Sequence, residues 1–261
     1  MGGIVLQQRL SELDASRLSV VIITLNEEKN LRRCLQSLPQ GSEVFILDSG
    51  STDRTEEIAR EAGANFEFRG FTDYADQKNH ANNLATRDWV LSLDADEELD
   101  AELRDAITRV VNDVSDHCAY RIPRQLVFMD RKMRFGKTND APIRLFRQGT
   151  GKFMSAIHES LQVDGEVKSL SGKLFHYSYD DLTDYFTRFN NYTSRIALNH
   201  KDNGKRPPSR LVSGLRFWIE FKLRYIFRLG FLDGYPGYIY ALLSSFYVVM
   251  KYEKLRELTD S

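Results

Sequence analysis

Cysteine is nearly missing from this chain: Cys34 and Cys118 are the only two in 261 residues. Two cysteines build neither a disulfide framework nor the paired spacing of a zinc site, and they fit a reducing compartment. Both read as structural, Cys34 in an amphipathic helix and Cys118 just before a strand. An excess of either charge is missing too. The formal net charge is −1, which gives no electrostatic reason to expect nucleic acid as a partner. No run reaches the ~18 apolar residues of a spanning helix. The nearest, Tyr235 to Met250, is interrupted by Pro236, Gly237 and two serines. Met1 to Arg9 lacks the basic start and apolar core of a signal peptide, so none is expected. Leu6 stands where a myristoylation motif needs Ser or Thr. Gly149-Thr150-Gly151-Lys152 lacks the third glycine of a dinucleotide fingerprint and the spacing of a P-loop. There is no Gly-x-Ser-x-Gly elbow.

What is present is a regular alternation of strand and helix signals. Leu18 to Thr24 is β-branched and apolar throughout, as a strand covered on both faces should be. A helix is expected from about Glu28 to Leu38, then a strand over Glu43 to Leu47. Asp53-Arg54-Thr55-Glu56 opens a helix that Gly63 ends. Asn65 to Phe68 reads as a short strand, Ala75 to Ala85 as a helix, and Trp89 to Leu93 as a strand. Asp100 caps a helix running to Val111. Repeated β-α units of this length predict an α/β fold with an open, mostly parallel sheet and helices on both faces. Beyond Ala119 the expected strands are shorter: Ala119 to Met129, Ile143 to Phe146, His158 to Val163 and Leu174 to Tyr177. The chain then turns helical over Leu182 to Lys201, passes a linker at Gly204 to Pro208, and ends in two helices, Leu211 to Gly230 and Pro236 to Leu258.

Asp94-Ala95-Asp96 directly follows the Trp89 strand. Two carboxylates one residue apart at a strand end can face one cleft and suit a hard divalent cation, Mg²⁺ or Mn²⁺. A second acidic turn, Asp48-Ser49-Gly50-Ser51-Thr52-Asp53, follows another apolar run, which places both turns at one edge of a parallel sheet where a nucleotide can bind. Asp48 can accept hydrogen bonds from a base or ribose, or can simply organise a βα loop; Asp53 reads as a helix cap. Thr24, Asn26 and Glu27 close the first strand and can border a base or ribose, while Glu28 suits a helix N-terminus. Lys78 can reach a phosphate, although a solvated helix face is the usual place of lysine. His158-Glu159 offers a carboxylate as general base or an ordinary surface pair. His176 reads as a structural strand histidine that is also a reasonable third metal ligand.

These stretches together resemble the family 2 inverting glycosyltransferases of GT-A fold. The matching motifs are Leu18 to Glu28, Asp48 to Thr55, Gln77-Lys78-Asn79 and Leu93 to Glu97. Pro142 to Phe146, Ile157-His158-Glu159 and Gly230 to Gly234 are similar to the subgroup of lipopolysaccharide-core β-1,4-glucosyltransferases. The resemblance implies a Rossmann-like mixed sheet with a C-terminal helical extension, a UDP-sugar donor and a divalent metal. It implies a lipid-linked saccharide acceptor, the lipid A-core, at the inner face of the cytoplasmic membrane. It matches Asp48 to a uracil-binding position, Lys78 to a basic position near base and diphosphate, and Asp94 and Asp96 to ribose and metal. The family usually carries its base in a Glu-Asp pair; this chain has His158-Glu159 there, which makes Glu159 the expected base and His158 a supporting group. The alternatives are a polyprenyl-phosphate acceptor, which needs no base, and a non-catalytic nucleotide-sugar sensor.

The implied organisation is a tail over 1–17, a transferase domain over 18–200 and a basic, aromatic extension over 201–261. From Lys201 to Leu232 eight basic residues face only Asp202 and Glu220, a local balance of 8 − 2 = +6. Aromatic residues, Phe217, Trp218, Phe221, Tyr225 and Phe227, interleave with them. Such a helix reads as an element for an anionic membrane surface, or as one that packs its aromatics on the core.

Overall fold

Strand β1 (Leu18–Thr24) forms at the centre of the sheet because its β-branched residues are shielded on both faces. Val20 and Ile22 point to one hydrophobic cluster and Val21 to another, the period of two that a strand imposes. The computed structural model describes residues 14–113, 117–154 and 160–260. The chain divides into two compact units, Met1–Arg124 with Asp140–His176, and Gln125–Asn139 with Tyr177–Ser261.

In the first unit β1 is followed by α1 (Leu31–Ser37), β2 (Glu43–Asp48), α2 (Thr55–Glu61), β3 (Asn65–Phe68), α3 (Tyr74–Leu84), β4 (Trp89–Asp94), β5 (Glu97–Leu99) and α4 (Ala101–Asn112). The expected β-α alternation is present. α1 starts three residues later than the sequence pattern places it, because Asn26 turns the chain at φ 56° and the next amides bond outward. Asn is among the few residues that adopt this left-handed conformation at low cost. Asp100 caps α4 by accepting from the Leu103 amide, as expected.

After α4 the strands shorten. The expected run Ala119 to Met129 splits at Ile122-Pro123 into β6 (Ala119–Arg121) and β7 (Arg124–Phe128), since proline cannot donate to a ladder. Two-residue strands β8 (Arg131–Lys132) and β9 (Asn139–Asp140) precede β10 (Ile143–Arg147). Then come β11 (Gly151–Met154), β12 (Ser160–Val163), β13 (Val167–Ser169) and β14 (Leu174–His176). The main sheet runs β13-β6-β10-β4-β1-β2-β3. β4, β1, β2 and β3 are parallel neighbours, and β10 joins β4 antiparallel. The sheet is therefore mixed. α1, α2 and α4 cover one face, and α3 with the β11-β12 hairpin covers the other. β2 and β4 flank β1 on opposite sides, so the strand order reverses at β1. A crevice at the carboxyl ends of the strands is expected at such a reversal.

The second unit is mainly helical. It contains α5 (Leu182–Asp202), α6 (Arg210–Lys222) and α7 (Gly234–Asp260). α6 runs on into a π-helical turn, Leu223–Phe227, and a 3₁₀ turn, Gly230–Asp233, precedes α7. Phe128, Met133, Tyr185 and Phe189 form its core with residues of α7. Buried Asp233 accepts from the amides of Arg134 and Phe135 at 2.9 and 2.8 Å, tying the turn to its neighbouring loop. No helix among the described residues is long and apolar enough to cross a membrane.

Candidate active site

The carboxyl ends of β1, β2 and β4 bring Thr24, Asp48 and Asp94 to one edge of the sheet. Thr24 pairs with Asp48 across β1 and β2, and Ile23 pairs with Asp94 across β1 and β4.

Asp48 is buried, and its carboxylate accepts from Thr24 Oγ1 at 2.9 Å, Gly50 N at 2.8 Å, Ser51 N at 2.7 Å and Ser51 Oγ. A carboxylate offers about four lone-pair sites, so this one is filled by the turn it organises. The first two βα loops then lock together. The Asn26 amide donates to Ser51 Oγ at 2.7 Å, and Asn26 Oδ1 accepts from the Thr52 amide at 2.9 Å. The Glu27 amide donates to Thr55 Oγ1 at 2.9 Å and the Glu28 amide to Asp53 Oδ2 at 3.1 Å. Glu27 itself holds Asn30 through Oε2 at 3.0 Å. Burial disfavours the charged form of Asp53, but its bonds from Thr55 and Glu28 outweigh that and hold its pKa below the ordinary value. The loops bordering the crevice are thus rigid by mutual bracing.

Lys78 does not lie on a solvated helix face. α3 turns it inward, where its Nζ meets Asp94 Oδ1 at 2.9 Å. Its neighbours are anchored too: Gln77 Nε2 reaches Ser49 Oγ at 3.1 Å, and Asn79 exchanges two hydrogen bonds with the Phe153 backbone.

The other oxygen of Asp94 meets Arg144 at 2.6 Å, and the same guanidinium nitrogen reaches Glu97 Oε1 at 2.8 Å. Glu97 also takes Arg124 at 3.1 Å, and Arg124 grips Asp140 through two nitrogens at 2.9 and 2.7 Å. The result is a continuous chain of alternating charge from Lys78 to Asp140. Burial works against the charged form of Asp94, yet Arg144 and Lys78 hold its carboxyl well below the usual carboxylate range. Arg144, Glu97 and Arg124 have no place among the expected site residues. The signal for Arg144 was an arginine inside the apolar strand Ile143–Arg147, which has no reason to be there without a buried acid.

Asp96 is buried, and among the described residues its Oδ1 has no hydrogen-bond partner. Its Oδ2 lies 3.4 Å from His176 Nε2. Burial lowers the His176 pKa, but the Asp96 hydrogen bond and the neighbouring carboxylates reverse this and leave it raised. A divalent cation fits this pair. Asp96 supplies an oxygen and His176, once it has released its proton, a nitrogen; such an ion usually takes one or two protein carboxylates and completes its shell with phosphate and water. Among the described residues no group of three or more His, Cys, Asp or Glu is arranged to hold a metal unaided. The expected base Glu159 and its supporter His158 lie outside the described residues.

The sequence profile described as glycosyl transferase family 2 matches residues 19–160. The chain is 31% identical over 258 residues to an uncharacterised glycosyltransferase of Rickettsia typhi, covering 93% of this chain and 88% of the relative. It is 28% identical over 247 residues to the lipopolysaccharide core biosynthesis glycosyltransferase LpsC of Rhizobium meliloti, covering 87% and 90%. Among solved structures, glucosyl-3-phosphoglycerate synthase from Mycobacterium tuberculosis, in complex with Mn²⁺, UDP-glucose and phosphoglyceric acid, overlays with a TM-score of 0.37 at 20% identity. That overlay spans 45% of this chain and 48% of the synthase.

Proposed function

The chain belongs to glycosyl transferase family 2, and from that premise we propose that it moves a hexose, glucose in the first instance, from a UDP-sugar to a hydroxyl of a lipid-linked saccharide. The acceptor in this reading is the inner-core heptose of lipopolysaccharide, and the product linkage is β. The similarity to LpsC, a lipopolysaccharide core biosynthesis glycosyltransferase, supports the core acceptor. The enzyme has the mixed sheet flanked by helices of the GT-A class.

The observation that carries the reading is the pairing of Asp94 and Asp96 at the end of β4. One carboxylate is neutralised by Lys78 and Arg144, and the other keeps a buried oxygen without a partner among the described residues. Asp94 held ionised and immobile suits the ribose hydroxyls of a nucleotide. Asp48 keeps Ser49 to Ser51 and Asn26 in one braced rim, against which Thr24, Asn26 and Glu27 border the base. Lys78 contributes positive charge beside the diphosphate. When bound by Asp96 and His176, Mg²⁺ or Mn²⁺ would offset the charge that builds on the departing UDP. Glu159, supported by His158, takes the proton from the acceptor hydroxyl. That oxygen attacks the anomeric carbon as the bond to the diphosphate breaks and its electron pair leaves with UDP. One displacement inverts the anomeric centre, so an α-linked donor gives a β-product.

In this reading residues 18–200 carry the transfer chemistry and 201–261 the membrane contact, with 1–17 as a tail. The enzyme works peripherally on the inner face of the cytoplasmic membrane, where its acceptor lipid is displayed.

The test is release and transfer from a panel of UDP- and GDP-sugars with Mn²⁺, using wild type beside Asp96→Ala. Selective release of UDP from one sugar, lost in the variant, is the expected result. Equal release from GDP-sugars, or no effect of Asp96→Ala, would overturn the donor and metal assignments.

A further inference from the structure

In the second unit, α6 and the turns that continue it to Leu229 have two faces of different fate. Phe217, Phe221 and Tyr225 face inward in contact with one another or with Tyr238 of α7. Arg216 and Arg224 lie over the rings of Tyr252 and Tyr240. The aromatics that make this segment conspicuous in the sequence are therefore mostly spent on packing.

The opposite face is apolar, and among the described residues nothing covers it. Leu211, Leu215, Trp218 and Ile219 recur at the spacing of one helical stripe, and all are exposed, Leu211 to 85%. The stripe continues to Phe227, 74% exposed, and to Leu229. Leu229 sits at φ 56°, a conformation that favours glycine and costs a bulky side chain. Leu229 nonetheless presents part of its side chain to solvent, at 43% exposure.

The charge around this stripe has one sign. Arg210, Lys222 and Arg228 are exposed, while Glu220, the only acidic residue from Asn203 to Leu232, is paired with Arg224 at 2.7 Å. Two copies meeting through this face would bring like charges together, which disfavours self-association. An anionic bilayer satisfies both the apolar stripe and the flanking cations.

We propose that the Leu211–Leu229 face docks on an anionic phospholipid surface, with α6 in the plane of the headgroups and Trp218, Phe227 and Leu229 at the acyl boundary. This deepens the reading of a lipid-borne acceptor and rests on it for its purpose. The measurement uses neither donor nor acceptor, so the two can fail separately.

The chain has two tryptophans, buried Trp89 and exposed Trp218. Vesicles of phosphatidylglycerol and phosphatidylcholine in equal parts should shift the emission of the full chain to the blue and carry it to the pellet. Phosphatidylcholine alone should do neither. W218F, left with Trp89, should still sediment but show no shift. K222E with R228E should lower partitioning about thirtyfold or more. L229G should fold at least as well as wild type and bind more weakly. No shift and no sedimentation of folded wild type with the anionic vesicles would overturn the proposal. So would a concentration-dependent dimer in which Trp218 is already shielded without lipid.

Discussion

Lys78 Nζ lies 2.9 Å from Asp94 Oδ1, with the lysine side chain buried against the strand that carries the aspartate. A buried ammonium is tolerated only with a partner. The helix that places Lys78 and the strand that ends in Asp94 are therefore tied by charge as well as by packing. Arg144 closes the other side, so that Asp94 is held between two cations and cannot rotate away.

This arrangement orders two substitutions by cost. Lys78→Met leaves Asp94 with Arg144 and should lower stability by about 2 kcal/mol, below the ~3–5 kcal/mol of a fully broken buried pair. Arg144→Met strips a cation from Asp94 and from Glu97 together and should cost about 3–5 kcal/mol. Urea unfolding of both variants and of the double variant measures this. The double variant should depart from additivity, because both cations share Asp94. Equal costs, or additive ones, would mean that the charges act independently.

The outer end of the same charge chain predicts an acid dependence. Burial raises the Asp140 pKa, but the two-nitrogen grip of Arg124 and its positive charge bring it below the ordinary value. A carboxyl depressed in the folded state stabilises the protein fully above its unfolded pKa, about 4. That contribution disappears as pH falls through the folded value. Asp140→Asn should therefore be less stable than wild type at neutral pH and should converge with it as the solution is acidified below that range. Unfolding midpoints measured across the acid limb check the sign; curves that stay parallel would show that Asp140 carries no such linkage.

The parallel half of the fold was legible because β1, β2 and β4 are nearly unbroken apolar runs and α4 opens on a capping acid, Asp100. β5, β11 and β13 were not, since Glu97–Leu99, Gly151–Met154 and Val167–Ser169 are short and mostly polar or half-exposed. Their existence depends on partners distant in the chain. Of the site, Asp94 and Asp96 were readable from one strand end. Lys78 was ambiguous in one dimension, because a lysine on a helix reads the same whether its partner is water or a carboxylate on another element. Arg144 stood in a quoted motif without a role for the same reason. The aromatic C-terminal segment was half legible: the sequence marked an unusual surface, but only the helix register separates the inward rings from the outward stripe.

The turn before α7 offers a steric test in the second unit. A Cβ added at Gly237 would lie 2.0 Å from the Gly230 carbonyl oxygen. That oxygen belongs to the backbone, and the next neighbour is the Cβ of Asp233 at 3.0 Å, so no side-chain rotation relieves the clash. Gly237→Ala should destabilise the second unit by more than the ordinary Gly→Ala gain of about 0.4–1 kcal/mol that a helix position allows. Hydrogen exchange localised to α6 and α7 reads the loss; unchanged protection there would contradict the close approach of the two glycines.

The metal assignment separates from the stability of the charge chain because Asp96 stands outside it. Among the described residues its Oδ1 lacks a partner, and its Oδ2 meets only His176 Nε2, at 3.4 Å. Asp96→Asn keeps the volume and can still face His176, so the fold should hold. The amide is a far poorer ligand for a hard cation than a carboxylate. UDP binding to wild type should strengthen on adding Mn²⁺ and weaken again with a chelator. In Asp96→Asn the metal-free affinity should persist while most of the Mn²⁺ enhancement is lost. His176→Gln should lose a smaller part, since it removes one donor and leaves the carboxylate. Titration calorimetry with and without Mn²⁺ distinguishes these cases. Should Asp96→Asn retain the full enhancement, the cation is held elsewhere, and Asp96 serves only to orient His176.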